Sequence, residues 1–132
     1  MTVRAHRASC HARLAALLLL ALCWSAAAQG PLAGLQPVPP LTARVTDLTG
    51  TLTAGQQSAL EQKLAAFEAA KGSQLAVLVV PTTRPEDIAQ YSIRVFDRWK
   101  LGRKNVDDGA LLLVAKNDRR VRIEPARGLR VY

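Results

Sequence analysis

Beyond residue 28 the sequence contains no cysteine and no histidine, because Cys10, Cys23, His6 and His11 all fall before that point. Their absence excludes cysteine nucleophiles, Ser-His-Asp triads, histidine general bases and Cys/His zinc sites from the remainder. Ionisable chemistry there is left to carboxylates, lysine and arginine. Acidic residues are missing from the other end of the chain, since the first is Asp47. Residues 1–28 instead carry Arg4, Arg7 and Arg13, an unbroken apolar run from Leu14 to Trp24, and the small residues Ser25-Ala26-Ala27-Ala28. This order is that of a secretory signal peptide cleaved after Ala28. The apolar run is shorter than the ~20 residues that cross a bilayer, which argues against an uncleaved anchor. Leu22 is bulky where a lipoprotein signal ending at Cys23 would place a small residue.

Charge follows the same division. The sequence has 18 basic and ten acidic residues, and removing three arginines with the signal lowers the net charge from +8 to +5. A basic surface suits nucleic acid or an anionic membrane. Export argues against nucleic acid and keeps membrane association open.

Residues 29–41 hold Pro31, Pro37, Pro39 and Pro40 with Gly30 and Gly34 and no charge, the composition of an extended linker. One domain is expected over 42–132, a length sufficient for a single core. A short strand is expected to end at Asp47, followed by a turn at Gly50. Thr53-Ala54-Gly55-Gln56 fits a capping box, and a helix with the stripe Leu60, Leu64 and Phe67 should run from there to a terminating Gly72. That stripe reads as ordinary core.

The stretch Gln74–Val80, apolar after its first residue, reads as a buried strand closed by Pro81. A second helix is expected from a first turn containing Pro85, with Glu86 and Asp87 at its positive end. Ile88, Tyr91, Val95 and Trp99 lie on its apolar face, where Trp99 reads as a packing residue. Ala110–Ala115 reads as a strand buried on both faces. Lys116-Asn117-Asp118-Arg119 has the composition of a hairpin turn, and Val121 and Ile123 alternate with arginines on a strand with one face in water. The element order βαβαββ implies an α/β sandwich with a central mixed sheet flanked by helices. No internal repeat is present.

Val45-Thr46-Asp47, Leu75–Val80, Trp99-Lys100-Leu101-Gly102, Asp107-Asp108-Gly109, the strand Ala110–Ala115, Asp118-Arg119-Arg120 and the ending Ile123-Glu124 together resemble the TPM domain family. Asp108 stands where the family's pattern has Asn, and Arg120 where it has Lys. The resemblance covers roughly residues 42–129 and implies an exported or luminal α/β sandwich. It implies function more weakly, since acid phosphatase, calcium-binding and accessory roles are all attributed to members. After Glu124 the sequence departs from the family's Gly-rich continuation, so the domain is expected to be partial, lacking roughly its last third and leaving apolar sheet surface uncovered.

The resemblance, with the oxygen-rich chemistry that calcium requires, points to Asp47, Asp107 and Asp108 as candidate metal ligands. Their convergence needs the third strand to run antiparallel to the first, or the loop before it to fold back. Arg119, Arg120 and Arg122 could clamp phosphate, or could guard a solvated edge strand. The first functional expectation is an exported, envelope-associated accessory module, calcium-stabilised and acting through a protein partner. The alternative is a metal-dependent acid phosphatase acting on phosphomonoesters, with the metal activating water.

Overall fold

In the computed structural model, residues 34–129 are described. The expected signal peptide at 1–28, the start of the Pro-rich segment and the last three residues lie outside them. Strand β1 (Val45–Asp47) is followed by α1 (Ala54–Lys71), β2 (Leu75–Val80), α2 (Ile88–Trp99), β3 (Ala110–Ala115) and β4 (Arg120–Pro125). A short 3-10 turn spans Arg127–Leu129. The sheet order is β1-β2-β3-β4, with β1, β2 and β3 parallel and β4 antiparallel to β3. The α/β architecture and the βαβαββ order are those the hydrophobic patterning implies.

Local signals set the first helix. The Thr53 side chain accepts from the Gln56 N–H, Gln56 returns a bond to the Thr53 N–H, and Gly72 ends the helix in the left-handed region at φ 79°. The second helix starts later than proline placement suggests. Pro85 sits in a turn closed by Glu86 N–H to the Thr83 carbonyl at 3.1 Å, and Asp87 is the N-cap, accepting from Ala89. Glu86 pairs instead with Arg94 further along α2.

The core lies between the sheet and α2. Ala76, Leu78, Val80, Leu111, Leu113 and Ala115 point toward Ile88, Tyr91, Val95 and Trp99, all buried. Trp99 is thus a packing residue, as its stripe implies. The segment read as a linker is strapped across this helix. Tyr91 Oη donates to the Pro37 carbonyl at 2.9 Å, Trp99 Nε1 to the Pro39 carbonyl at 2.8 Å, and Arg94 to the Gln36 carbonyl at 2.9 Å. Val38 packs on the core.

The other face differs from expectation. Helix α1 packs on β1 and β2, none of its residues is fully buried, and Phe67 is exposed. Leu60 and Leu64 are half-buried rather than core. Strand β3 is buried on one face only, with Leu112 and Val114 half-buried. The register aligns Val45, Val77, Leu112 and Ile123 in one row, and Asp47, Val79, Val114 and Val121 in the next. Both rows end in solvent, where Val121 and Ile123 stand 64% and 66% exposed.

The orientation of β4 is therefore the reverse of the usual apolar-in pattern. Pairing of Val121 with Val114 and Ile123 with Leu112 turns these two residues away from α2. Arg120, Arg122 and Glu124 occupy the α2 side, where Arg122 is paired with Glu124 at 2.8 Å and bonded to Ser92 at 3.0 Å.

Candidate functional site

The acidic turn precedes β3 and is built on a close backbone approach. Gly102, at φ 100°, ends the segment after α2, and a Cβ there would meet the Gly109 nitrogen at 2.6 Å. Within the loop the Val106 and Asp107 N–H groups both donate to the Arg103 carbonyl, at 3.1 and 3.2 Å. From the far side Gly128 N–H donates to the Asp107 carbonyl at 3.0 Å. A Cβ on Gly128 would collide with the Val106 carbonyl oxygen, so only glycine lets the chain pass there.

Asp108 is buried and clamped by one residue. Arg103 donates its backbone N–H to Oδ1 at 2.9 Å and its Nε to Oδ2 at 2.8 Å, and its second guanidinium nitrogen lies 2.6 Å from Oδ2. The guanidinium bonds, then the backbone bond, hold the Asp108 carboxyl below the usual carboxylate range. Asp107 lies outside this clamp and is exposed, with a left-handed backbone at φ 52°.

Asp47 does a different job at the end of β1. Oδ1 accepts from the Thr49 N–H at 2.8 Å and the Thr49 hydroxyl at 2.7 Å, and Oδ2 accepts from the Leu52 N–H at 2.8 Å. Burial alone would raise its pKa. The bonds from Leu52 and Thr49 outweigh that and lower it.

The three aspartates do not form one site. Asp47 is level with Val79 and hence with Val114 near the carboxyl end of β3, whereas Asp108 precedes Ala110 at its start. Strands that rise about 3.3 Å per residue then separate them by roughly 20 Å. The parallel course of β1 and β3 is the reason, since it sends the end of one and the start of the other to opposite ends of the sheet. Among the described residues no group of three or more His, Cys, Asp or Glu side chains is placed to hold a metal ion.

The structure assembles two other places that sequence spacing does not show. A cleft of about 440 Å³ between α2 and the end of β4 is lined by Ile93, Phe96, Asp97, Asp107, Glu124 and Arg127, among others. It brings Asp107 to the same hollow as Glu124, the acid that ends the Ile-Glu motif. Glu124 is buried, and its Oε2 accepts from the Ser92 hydroxyl at 3.2 Å and from Arg122 Nε at 3.0 Å.

The second place lies at the carboxyl ends of β2 and β3, where ligands of open α/β sheets collect. A cleft of about 640 Å³ there is lined by Thr83, Arg84, Asp87, Asp118 and Arg120, among others. Asp118 reaches out of the hairpin turn to the loop after β2, accepting from the Thr82 hydroxyl at 2.9 Å and the Thr83 N–H at 3.0 Å. The Thr83 bond is the main cause of its lowered pKa. Arg84 faces Asp118 at 3.5 Å and Arg120 faces Asp87 at 3.1 Å. The sequence signals for this cleft are the hairpin turn, Asp87 and Arg120, whose long-range partners no local pattern reveals.

Comparison with known proteins completes the picture. A family model described as TPM domain matches residues 45–132. The chain is similar to the solution NMR structure of an N-terminal domain from P. gingivalis, with 28% identity and a TM-score of 0.63. That match covers 72% of this chain and 64% of the other. The N-terminal domain of the cg2496 protein from Corynebacterium glutamicum is 12% identical with a TM-score of 0.56, over 71% of this chain and 62% of that one, a likeness of fold alone. The chain spans somewhat under two thirds of the length of either structure. No curated protein matches it.

Proposed function

Because the chain belongs to the TPM domain family, we propose that it is an exported, envelope-associated binding or accessory module that acts through a protein partner rather than by turnover. One observation carries this reading: three of the aspartates that could do chemistry are spent on holding loops. Asp47 gathers the Thr49–Leu52 turn, Asp108 is clamped by Arg103, and Asp118 ties the hairpin to the loop after β2. Phosphoryl transfer needs charges aimed at the reacting group, so that they stabilise it without first breaking other bonds. In the cleft at the carboxyl ends, Arg84 and Arg120 each face an aspartate of the same chain.

Calcium enters this reading only at the acidic turn. Asp107, exposed and outside the Arg103 clamp, would be its side-chain ligand, with backbone carbonyls of the turn as further hard oxygens. A calcium-dependent rise in melting temperature that disappears in Asp107→Ala supports this role, and an unchanged melt removes it.

The experiment that decides between classes is hydrolysis of a generic phosphomonoester by the purified chain, with and without calcium. The binding reading expects no turnover. Hydrolysis that is abolished in an Asp107→Ala/Asp108→Ala variant would overturn it in favour of the metal-dependent acid phosphatase. Cross-linking in the intact envelope should trap a defined second protein, and recovery of self-adducts alone would count against a partner.

A further inference from the structure

The two edges of the sheet are finished differently. At β1 the side chains of α1 stand in for a neighbouring strand: Gln57 Nε2 donates to the Val45 carbonyl at 3.1 Å, and the Val45 N–H donates to Glu61 Oε2 at 2.9 Å. At β4 the pattern of bonds leaves a row open. Ala126 N–H donates to the Gly109 carbonyl at 2.8 Å, in the register that sets Ala110 against Pro125. Gly109 and Ala126 are thus a hydrogen-bonded pair, and alternation directs the backbone groups of Arg120, Arg122 and Glu124 toward β3. Those of Val121 and Ile123 point outward. Pro125 takes the next outward position, where its missing N–H costs the ladder nothing.

Among the described residues, no side chain or loop bonds the outward groups of Val121 and Ile123. Nor do the two arginines of β4 itself guard this edge as free charges. Arg120 is paired with Asp87, and Arg122 with Glu124 and Ser92, all on the α2 side. An open edge with exposed β-branched side chains is a template for another strand.

We propose that the edge is filled by β4 of a second copy of this chain, antiparallel and centred on Arg122. In that register Val121 of each copy faces Ile123 of the other, so every outward N–H and C=O of both residues finds its complement. On the opposite face Arg120 of each copy stands across from Glu124 of the other. At the axis Arg122 meets Arg122, each already neutralised by its own Glu124. Other registers are poorer: a two-residue shift one way leaves the Val121 carbonyl facing a proline, and the other way sets Ile123 against the hairpin turn. The self-complementary apolar pairs add cross-strand contact to the backbone bonds. This inference is independent of the accessory role proposed above.

Sedimentation velocity on the full chain tests it, together with amide exchange. The expected result is a dimer in which exchange at Val121 and Ile123 slows by about tenfold or more on association. Val121→Pro removes an outward donor without touching the β3–β4 ladder and should give a folded monomer. Ile123→Lys, at a side chain already 66% exposed, is the second variant should the proline disturb folding. A wild-type chain that stays monomeric at high micromolar concentration overturns the proposal. So does a dimer that survives in the folded variants, or one whose Val121 and Ile123 amides exchange at the monomer rate.

Discussion

Gly102 and Gly109 meet backbone to backbone. A Cβ built on Gly102 would fall 2.6 Å from the Gly109 nitrogen, and one built on Gly109 would fall 2.6 Å from the Gly102 nitrogen and 2.5 Å from the Leu101 carbonyl carbon. This contact closes the loop that carries Asp107 and Asp108 and sets where β3 begins. It gives a physical reason for glycine at both ends of the Gly102–Gly109 stretch: the motif records a close approach as well as a turn.

Gly109→Ala should therefore destabilise the domain, although it adds a single methyl. The neighbours are backbone atoms and cannot turn aside, so a loss of roughly 1–3 kcal/mol is expected, the usual scale of overpacking. Chemical denaturation measures it. A variant with wild-type stability would mean that the loop relaxes freely and that the contact is incidental.

Acid should unfold the domain through several carboxylates at once. Asp108 is lowered by its Arg103 bonds and Asp118 chiefly by the Thr83 N–H. In Asp47 and Glu61, burial is overcome by hydrogen bonds, from Leu52 and Thr49 in the first case and from Arg44 and Val45 in the second. A group whose folded pKa lies below its unfolded value binds more protons unfolded, so stability rises with pH across that window. The stabilisation is complete above the ordinary carboxylate range near pH 4 and is lost as pH falls through the folded values. Melting temperatures from pH 7 to pH 2 should show this fall, and Asp118→Asn should flatten it. A profile without loss below pH 4 would contradict the assignment.

Tyr91→Phe should loosen the strap over α2. The substitution removes one hydroxyl and leaves the Pro37 carbonyl without its donor, at a cost of about 0.5–1.5 kcal/mol. Trp99→Phe removes the neighbouring bond to Pro39. Both bonds hold one short segment, so the double variant should lose less than the sum of the two. Strict additivity in urea melts would show that the segment is not held as a unit.

Much of the architecture is legible in local chemistry. Thr53 and Gln56 announce α1, Gly72 ends it, and the stripe Ile88, Tyr91, Val95 and Trp99 marks the helix that covers the core. Pro85 misleads because proline suits a turn as well as a first helical residue, and here Asp87 takes the cap. The Pro-rich segment reads as a linker because composition reports flexibility, whereas its carbonyls are held by Tyr91, Arg94 and Trp99, more than fifty residues away.

The candidate site is legible only in part. Asp108 and Glu124 are marked by their motifs, yet what engages them is not: the Arg103 clamp depends on how the loop before β3 folds back on itself, and Ser92 reaches Glu124 from α2. Sequence alone determined the elements, their order and the family, because capping, periodicity and motif spacing are local properties. Only the tertiary structure decided that the acidic turn before β3 lies at the opposite end of the sheet from Asp47, and that β4 turns its valine and isoleucine outward. Both follow from strand direction and register. Register is a relation between segments distant in the chain, and shifting it by one residue exchanges the faces of a whole strand.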